Sequence, residues 1–176
     1  MKSLTYIFLL LVFASCGAAR INYDYDRQTD FSNYTTYNYF DDMVTGLNGL
    51  DEKRLFRAMD VTLQTKGLLF SEEPDILINV ESKVFQSQPG NTVGVGLGGT
   101  GGNVGGGVSV GIPVGGPNTE RELVIDLVDA KKDILIWQAV SISNYKESSL
   151  PAVKEEKMQE LITKIFSKYP PKTRKN

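Results

Sequence analysis

The sequence predicts an α+β domain, in which an antiparallel sheet of about five strands carries two helices on one face and a long glycine-rich hairpin or loop. Two observations support this class. Segments rich in β-forming residues occur as neighbouring pairs along the chain, and helical periodicity occurs in two separate blocks. With 176 residues, 41% hydrophobic and 23% charged, the chain has the composition of one modest globular domain.

The first two predicted strands are rich in tyrosine. Residues 21–25 alternate apolar or aromatic with polar side chains, and residues 34–40 are rich in β-forming residues. A short stretch from Asp30 to Asn33 separates the second segment from the first. We therefore expect the two segments to pair as an antiparallel hairpin, with their tyrosines stacked across the strands.

Two later segments have the spacing of amphipathic helices. The first begins at the capping residues 48–51 and ends at Lys66-Gly67, and the second begins at Leu150-Pro151 and ends at Pro170-Pro171. Each places its apolar side chains on one face, as a helix lying on a sheet does. These residues are Leu55, Phe56, Met59 and Leu63 in the first helix, and Met158, Leu161, Ile162, Ile165, Phe166 and Tyr169 in the second.

Three further strands are predicted between the helices. Residues 75–85 change from a solid apolar run to alternation, which is typical of a central strand that leaves a covered region. Residues 123–128 and 134–142 are the other two strands, and residues 130–133 join them as a hairpin turn.

A glycine-rich insertion, residues 87–119, separates the first of these strands from the second. It holds thirteen of the seventeen glycines, and no charged residue occurs from Val84 to Thr119. Alternation in residues 93–97 and 108–112 favours a long hairpin or loop. The segment also matches the dinucleotide fingerprint G-x-G-x-x-G and a small-xxx-small helix-packing spacing. However, no predicted helix follows to bind a phosphate, and each glycine disfavours a helix by about 1 kcal/mol.

The N-terminal segment has the layout of a secretory signal. Lys2 precedes an apolar stretch of about ten residues, which as a helix spans about 15 Å, half of a roughly 30 Å hydrocarbon core. The only cysteine, Cys16, follows small residues and precedes Gly17, an arrangement that resembles the lipobox of bacterial lipoproteins. The alternatives are ordinary cleavage that leaves a free thiol, or a buried core cysteine.

This resemblance implies that residues 1–15 are removed as a lipoprotein signal peptide and that Cys16 is acylated. Residues 16–20 then form a short linker, residues 21–171 a single domain, and residues 172–176 a tail. Two or three acyl chains would make the membrane attachment effectively permanent. By resemblance to Gram-negative lipoproteins, the absence of Asp at position 17 favours the outer membrane. The absence of an acidic cluster after Cys16 favours its periplasmic side.

The composition excludes several chemistries. With no histidine and one cysteine, the chain can form neither an imidazole-dependent triad nor a zinc site of Cys and His. The net charge is −2 and no basic stripe stands out, so we predict no nucleic-acid partner. Asp24, Asp26 and Asp30 have calcium-loop spacing, but Thr29 and Thr35 replace the glycine and glutamate that such a loop needs, so we predict no metal site.

Three aromatic residues, Tyr37, Tyr39 and Trp137, form the predicted ligand or partner surface, although a tryptophan within a strand is commonly a core residue. Two carboxylate pairs, Asp41-Asp42 and Asp126 with Asp129, could supply acid–base chemistry on a glycan. Both pairs lie at predicted strand ends or turns, where aspartate is common anyway. We therefore predict no catalytic residue, no enzyme activity and no cofactor.

Several short motifs in order resemble the domain-of-unknown-function family 4136 of bacterial lipoproteins. They are Asp24-Tyr25-Asp26, Asp30-Phe31-Ser32, residues 34–37, Lys66-Gly67, residues 74–78, residues 123–129, Ile136-Trp137 and Tyr169-Pro170-Pro171. Tyr39 stands where a tryptophan is usual, and Glu120-Arg121-Glu122 replaces a Gly-Thr lead-in. The resemblance implies the fold and an envelope location, and it supplies no catalytic residue.

The expected function is therefore that of a lipid-anchored envelope protein at the outer membrane, with a structural or protein-binding role. Its expected partners are the membrane, through the lipid anchor, and an envelope protein. The first alternative is a binder of a small ligand or a cell-wall glycan, and the second is a carboxylate-dependent hydrolase.

Overall fold

A computed structural model describes residues 19–87, 92–95, 110–113 and 118–172 of the chain, with the backbone alone described for the two short segments. The predicted signal peptide, Cys16 and residues 173–176 of the tail lie outside these ranges. The elements are β1 (Arg20–Tyr25), β2 (Thr36–Tyr39), α1 (Gly49–Thr65), β3 (Leu69–Phe70), β4 (Ile76–Ser87), β5 (Thr92–Val95), β6 (Val110–Pro113), β7 (Asn118–Asp129), β8 (Ile134–Asn144) and α2 (Pro151–Ile165). Two 3₁₀ turns span Phe31–Asn33 and Phe166–Lys168.

The main sheet has six strands in the order β1-β8-β7-β4-β2-β3. The α+β class and the two helices are confirmed. The expectation of about five strands, all antiparallel, is wrong, because β2 pairs in parallel with both β3 and β4. The β7–β8 hairpin is confirmed by its antiparallel ladder. β5 and β6 also pair antiparallel, as the glycine-rich hairpin requires.

The predicted tyrosine hairpin is also wrong. β1 pairs with β8 at one edge of the sheet, whereas β2 lies beyond β4. The connection between them crosses the end of the sheet: Asp26 N–H donates to the Ile136 carbonyl, and the Tyr34 hydroxyl reaches Asp129. Asp30 caps the 3₁₀ turn of this connection, and Phe31 is buried in the core. Because Phe31 is buried against Tyr169, a connection that crosses the end of the sheet is favoured, and a tight hairpin turn is not.

Both helices form where capping and apolar spacing predict them. The Asn48 side chain accepts from the N–H groups of Leu50 and Asp51, and Gly67, at φ +83°, ends α1 in the left-handed conformation. α2 begins with Pro151 in its first turn. The helices contact each other through an Arg57–Glu155 ion pair and a bond from Gln159 to Thr62.

The core lies between the helices and one face of the sheet. Along β7, Leu123, Ile125 and Leu127 are fully buried, while the residues between them are half-buried on the opposite face. Trp137 stacks on Phe166 at 5.4 Å between ring centroids. Residues of both helices and of four strands therefore share one hydrophobic core.

Candidate functional site

The two ends of the sheet differ in charge. At the insertion end, β4 stops at Ser87 and β7 begins opposite it at Asn118. At the turn end, the β7–β8 turn follows Asp129. Each end borders a cleft that is lined by several charged side chains.

The cationic cleft lies at the insertion end and has a volume of about 300 Å³. Its charged lining consists of five cations and two carboxylates: Arg121, Lys146, Lys154, Lys157, Lys164, Asp51 and Glu160. Its other lining residues are Ala19, Ser143, Asn144, Tyr145, Ser149, Met158 and Leu161. The lining therefore carries an excess of three positive charges, whereas the whole chain has a net charge of −2.

Arg121 forms the buried wall of the cationic cleft and is 8% exposed. Its Nη2 donates to Asp51 Oδ2 at 3.0 Å, and its Cζ lies 3.7 Å from the centre of the Tyr145 ring, a cation–π contact. Its Nε is buried and has no hydrogen-bond partner within the described part of the chain. The guanidinium therefore has a donor that the described fold does not use.

Asp51 is the counter-ion of Arg121 and is 2% exposed. Burial raises its pKa, but bonds and charge from Arg121, followed by a 2.7 Å bond from Arg54, outweigh burial and hold the pKa below its usual range. The carboxylate is thus ionised at neutral pH, and the Arg54–Asp51–Arg121 group joins α1 to the start of β7.

The lysines of the cationic cleft come mainly from one stripe of α2. Lys154, Lys157, Leu161 and Lys164 are spaced three or four residues apart, which places them on the same helix face. Lys164 Nζ donates to the Ala19 carbonyl at 3.1 Å. Within the described ranges, Lys146, Lys154 and Lys157 form neither an ion pair nor a hydrogen bond. Chemically, such an arrangement can hold an anion.

Sequence reasoning missed this cleft. The three-four spacing of lysines in residues 154–164 was a usable signal, but the balanced net charge obscured it. Arg121 lies in the Glu120-Arg121-Glu122 segment, which from the sequence is identifiable only as a departure from the family pattern. What the sequence does not reveal is that the start of β7 and α2 line the same cleft.

The acidic cleft lies at the turn end and has a volume of about 510 Å³. Four aspartates line it, together with two lysines and several polar residues; the aspartates are Asp26, Asp30, Asp75 and Asp129. Each aspartate accepts hydrogen bonds from a neighbouring turn or strand. In the part of the chain that the structure describes, no three His, Cys, Asp or Glu side chains are placed to hold a metal ion.

Asp129 is the most constrained carboxylate of the acidic cleft, at 4% exposure. It accepts the Tyr34 hydroxyl at 2.7 Å and the N–H groups of Lys131 and Lys132 at 2.9 and 3.0 Å. Burial raises its pKa, but these bonds lower it to about 2. Burial, together with the bond to Asp129, raises the pKa of Tyr34 to about 12.

Asp75 connects two chain segments at the same end. Its Oδ2 accepts from the backbone N–H and the hydroxyl of both Thr35 and Thr36, at 3.0 to 3.3 Å. The Thr35 N–H makes the largest contribution to a lowered Asp75 pKa. These bonds hold β2 beside β4 and join the Pro74-Asp75 and Thr35-Thr36 segments.

The structure does not bring Tyr37, Tyr39 and Trp137 together into a surface. Tyr37 and Trp137 have 0% and 1% exposure and lie in different parts of the core. Tyr37 and Tyr39 both donate to Asp60 Oδ1 at 2.7 Å. Burial, followed by the bonds to Asp60, raises the pKa of both tyrosines. In this structure they fasten β2 to α1.

The predicted carboxylate pairs are also placed apart. Asp126 lies on the half-buried face of β7 and accepts from Gln138 at 2.8 Å, whereas Asp129 lies on the opposite face. Asp41 and Asp42 are exposed and line neither cleft.

Among the helices described, none is both long enough and apolar enough to cross a membrane.

A family model described as a domain of unknown function, DUF4136, matches residues 21–171. The chain belongs to the DUF4136 family. No curated protein sequence matches this DUF4136 chain at a significant level. The match covers both clefts, apart from Ala19 at the rim of the cationic one.

Comparison with solved structures finds matches to this DUF4136 chain. One is a PDZ domain protein from Parabacteroides distasonis, with a TM-score of 0.57 and 14% identity over 97% of this chain. The chain spans 40% of the length of that protein, and at this identity the likeness concerns the fold alone. Another is the PelC dodecamer from Paraburkholderia phytofirmans, with a TM-score of 0.48 and 9% identity, covering 85% of this chain and 96% of the PelC chain.

Proposed function

We propose that this DUF4136 protein is a lipid-anchored envelope protein that is tethered to the outer membrane through Cys16 and acts there as a structural or protein-binding module. The supporting observation is the position of Ala19, which lines the cationic cleft at the insertion end. Ala19 lies three positions after Cys16, and an extended chain of three residues spans at most about 10 Å. A lipid on Cys16 would therefore hold the insertion end against the membrane surface.

Contacts at the first described residues support this orientation. Arg20 pairs with Ile142 in the sheet, and its Nη2 donates to both carboxylate oxygens of Glu120, at 3.0 and 3.1 Å. Lys164 holds the Ala19 carbonyl. These contacts fix the start of the domain, so the tether would join the domain at β1, an edge strand of the sheet. The turn end, with its acidic cleft, then faces the periplasm and is available to a partner.

Intact-mass analysis of protein purified from native membranes tests this proposal. We expect a product that begins at Cys16 and carries acyl chains, and we expect Ser15→Ala to be processed in the same way because alanine is also small. Cys16→Ser should carry no acyl mass. A wild-type product that keeps residues 1–15, or that starts at Cys16 without acyl mass, would contradict the proposal. Crosslinking in native envelopes would then identify the protein partner.

The first alternative, a binder of a small ligand, now has a specific observation in its favour. It is the cationic cleft and not the aromatic residues Tyr37, Tyr39 and Trp137. The positive charge of the cleft favours an anionic ligand.

A further inference from the structure

We propose that the cationic cleft binds an anionic group, a phosphate or a carboxylate, that belongs to a ligand with an apolar portion. The residues of the cleft support this site without the lipid anchor. The proposal rests on the proposed function only where the anionic group belongs to a lipid headgroup, since the tether would bring the cleft to the membrane.

The cations of the cleft are only partly compensated, because Asp51, whose pKa the charge of Lys154 helps to lower, is already paired with Arg121 and Arg54. Lys154 and Lys157 lie one helical turn apart, and like charges at this spacing destabilise a helix. Lys146 adds a third cation from the loop after β8. Within the described ranges none of the three has an ion-pair partner, so an anion in the cleft would relieve their mutual repulsion.

The cleft also has a buried guanidinium in its wall. An arginine that is nine-tenths buried is usually bonded at every nitrogen, yet Arg121 Nε has no partner in the described part of the chain. Asp51 and the Tyr145 ring hold the guanidinium in place at the wall of the cleft. The positive charge is thus fixed in position before a ligand arrives, which reduces the ordering cost of binding.

The remaining walls of the cleft include apolar side chains. Met158 and Leu161, both on α2, give the cleft an apolar side. A volume of about 300 Å³ falls at the lower end of small-molecule sites. The cleft therefore fits one anionic group with a short apolar portion. A lipid headgroup with the first part of its chain and a small soluble anion both have this chemistry.

The test uses full-length protein reconstituted in phosphatidylcholine vesicles. Trp137, the only tryptophan, is stacked in the core and reports urea unfolding by its fluorescence. In one arm, inorganic phosphate is added at constant ionic strength. In the other arm, phosphatidylglycerol replaces part of the phosphatidylcholine and no phosphate is added. A ligand that binds only the folded state raises the urea midpoint.

The variant is Lys154→Gln/Lys157→Gln, and its matched control is Lys53→Gln/Lys66→Gln, which removes two positive charges outside the cleft. We expect either inorganic phosphate or phosphatidylglycerol to raise the urea midpoint of the wild type and of the control. The cleft variant should need about tenfold more anion for the same rise, since two charges near the anion are lost. Without anion, the cleft variant should unfold at the midpoint of the wild type or slightly above it, because the repulsion between the two lysines is removed.

The arm that responds identifies the source of the anion: phosphatidylglycerol indicates a lipid headgroup, and inorganic phosphate indicates a soluble ligand. A midpoint that rises in neither arm overturns the proposal, as does a rise of equal size in the cleft variant and the control. Flotation of the protein with phosphatidylcholine vesicles reports the tether separately. A protein that fails to float but still responds to phosphate would contradict the tether and support the cleft.

Discussion

In the acidic cleft each aspartate accepts a hydrogen bond from a neighbouring N–H or hydroxyl group. In the cationic cleft three lysines have neither a hydrogen-bond acceptor nor an ion-pair partner among the described residues. Both clefts concentrate one sign of charge at one end of the same sheet. They differ in whether the fold uses that charge. Asp75 and Asp129 connect chain segments that are distant in sequence. Lys146, Lys154 and Lys157 form no hydrogen bond or ion pair with another described residue.

This difference separates architecture from binding capacity. A polar network whose members are satisfied stabilises the fold and leaves little charge for a ligand. Like charges that lie together without partners lower stability slightly, and proteins carry such departures mainly at functional sites. Substitutions in the acidic cleft should therefore change the free energy of unfolding, and substitutions of the cleft lysines should change the response to anions.

Arg121 is the exception within the cationic cleft, and we expect its loss to have the largest effect. Arg121→Met leaves the buried Asp51 with Arg54 as its remaining ion-pair partner and the Asn48 amide as a further donor, so the free energy of unfolding should fall by about 3 kcal/mol, the lower end for a broken buried pair. Urea unfolding at pH 7, followed by Trp137 fluorescence, measures this change. Arg121→Lys keeps the charge and should give a smaller loss. An unchanged stability in Arg121→Met would show that the pair does not support the fold.

Asp129→Asn should have the next largest effect. The pKa of Asp129 is about 2 in the folded state, against an ordinary value near 4, so its ionised form stabilises the fold by about 2 kcal/mol at pH 7. Because the folded-state pKa is lowered, this contribution is present above about pH 4 and is lost as the pH falls towards 2.

The measurement is urea unfolding of both proteins from pH 7 to pH 2. The difference in free energy of unfolding between the wild type and Asp129→Asn should stay constant above pH 5 and become smaller below pH 4. Tyr34→Phe, which removes one bond to Asp129, should cost about 1 kcal/mol. A gap that is independent of pH would mean that the charge of Asp129 does not support the fold.

Lys157→Gln should have the smallest effect on stability. Lys157 is exposed and unpaired in the described structure, so the free energy of unfolding without anion should change by less than about 0.5 kcal/mol. The same urea titration at low salt measures it. A loss above 1 kcal/mol would mean that the fold uses this charge, and the contrast between the clefts would then disappear.

The sequence predicts local structure better than it predicts pairing. Asn48 and Gly67 mark the two ends of α1 because capping is a local property of the backbone. The partner of β1 is not local: Phe31 is buried only after the chain has crossed the end of the sheet, so residues 21–25 and 34–39 pair with strands far along the chain. Alternation reveals that a strand exists and which face it buries, but not its neighbour.

The clefts are harder still to predict. Asp26, Asp30, Asp75 and Asp129 are each recognisable as turn or strand-end residues, but only the fold gathers them. The lysine stripe of α2 is visible in the sequence, whereas the contact of Arg121 with Asp51 joins residues 70 positions apart. Trp137 and Tyr37 were expected at a surface because aromatic residues favour interfaces, but here the hydrophobic core buries them.

One measurement tests the contrast between the clefts most directly. The urea midpoints of Lys154→Gln/Lys157→Gln and Asp129→Asn are compared with that of the wild type, with and without the anion source. We expect the lysine variant to keep at least wild-type stability and to need about tenfold more anion for the same rise, and the aspartate variant to lose stability and keep the wild-type response. The reverse pattern, or two variants that lose both properties together, would contradict the assignment of one cleft to binding and the other to the fold.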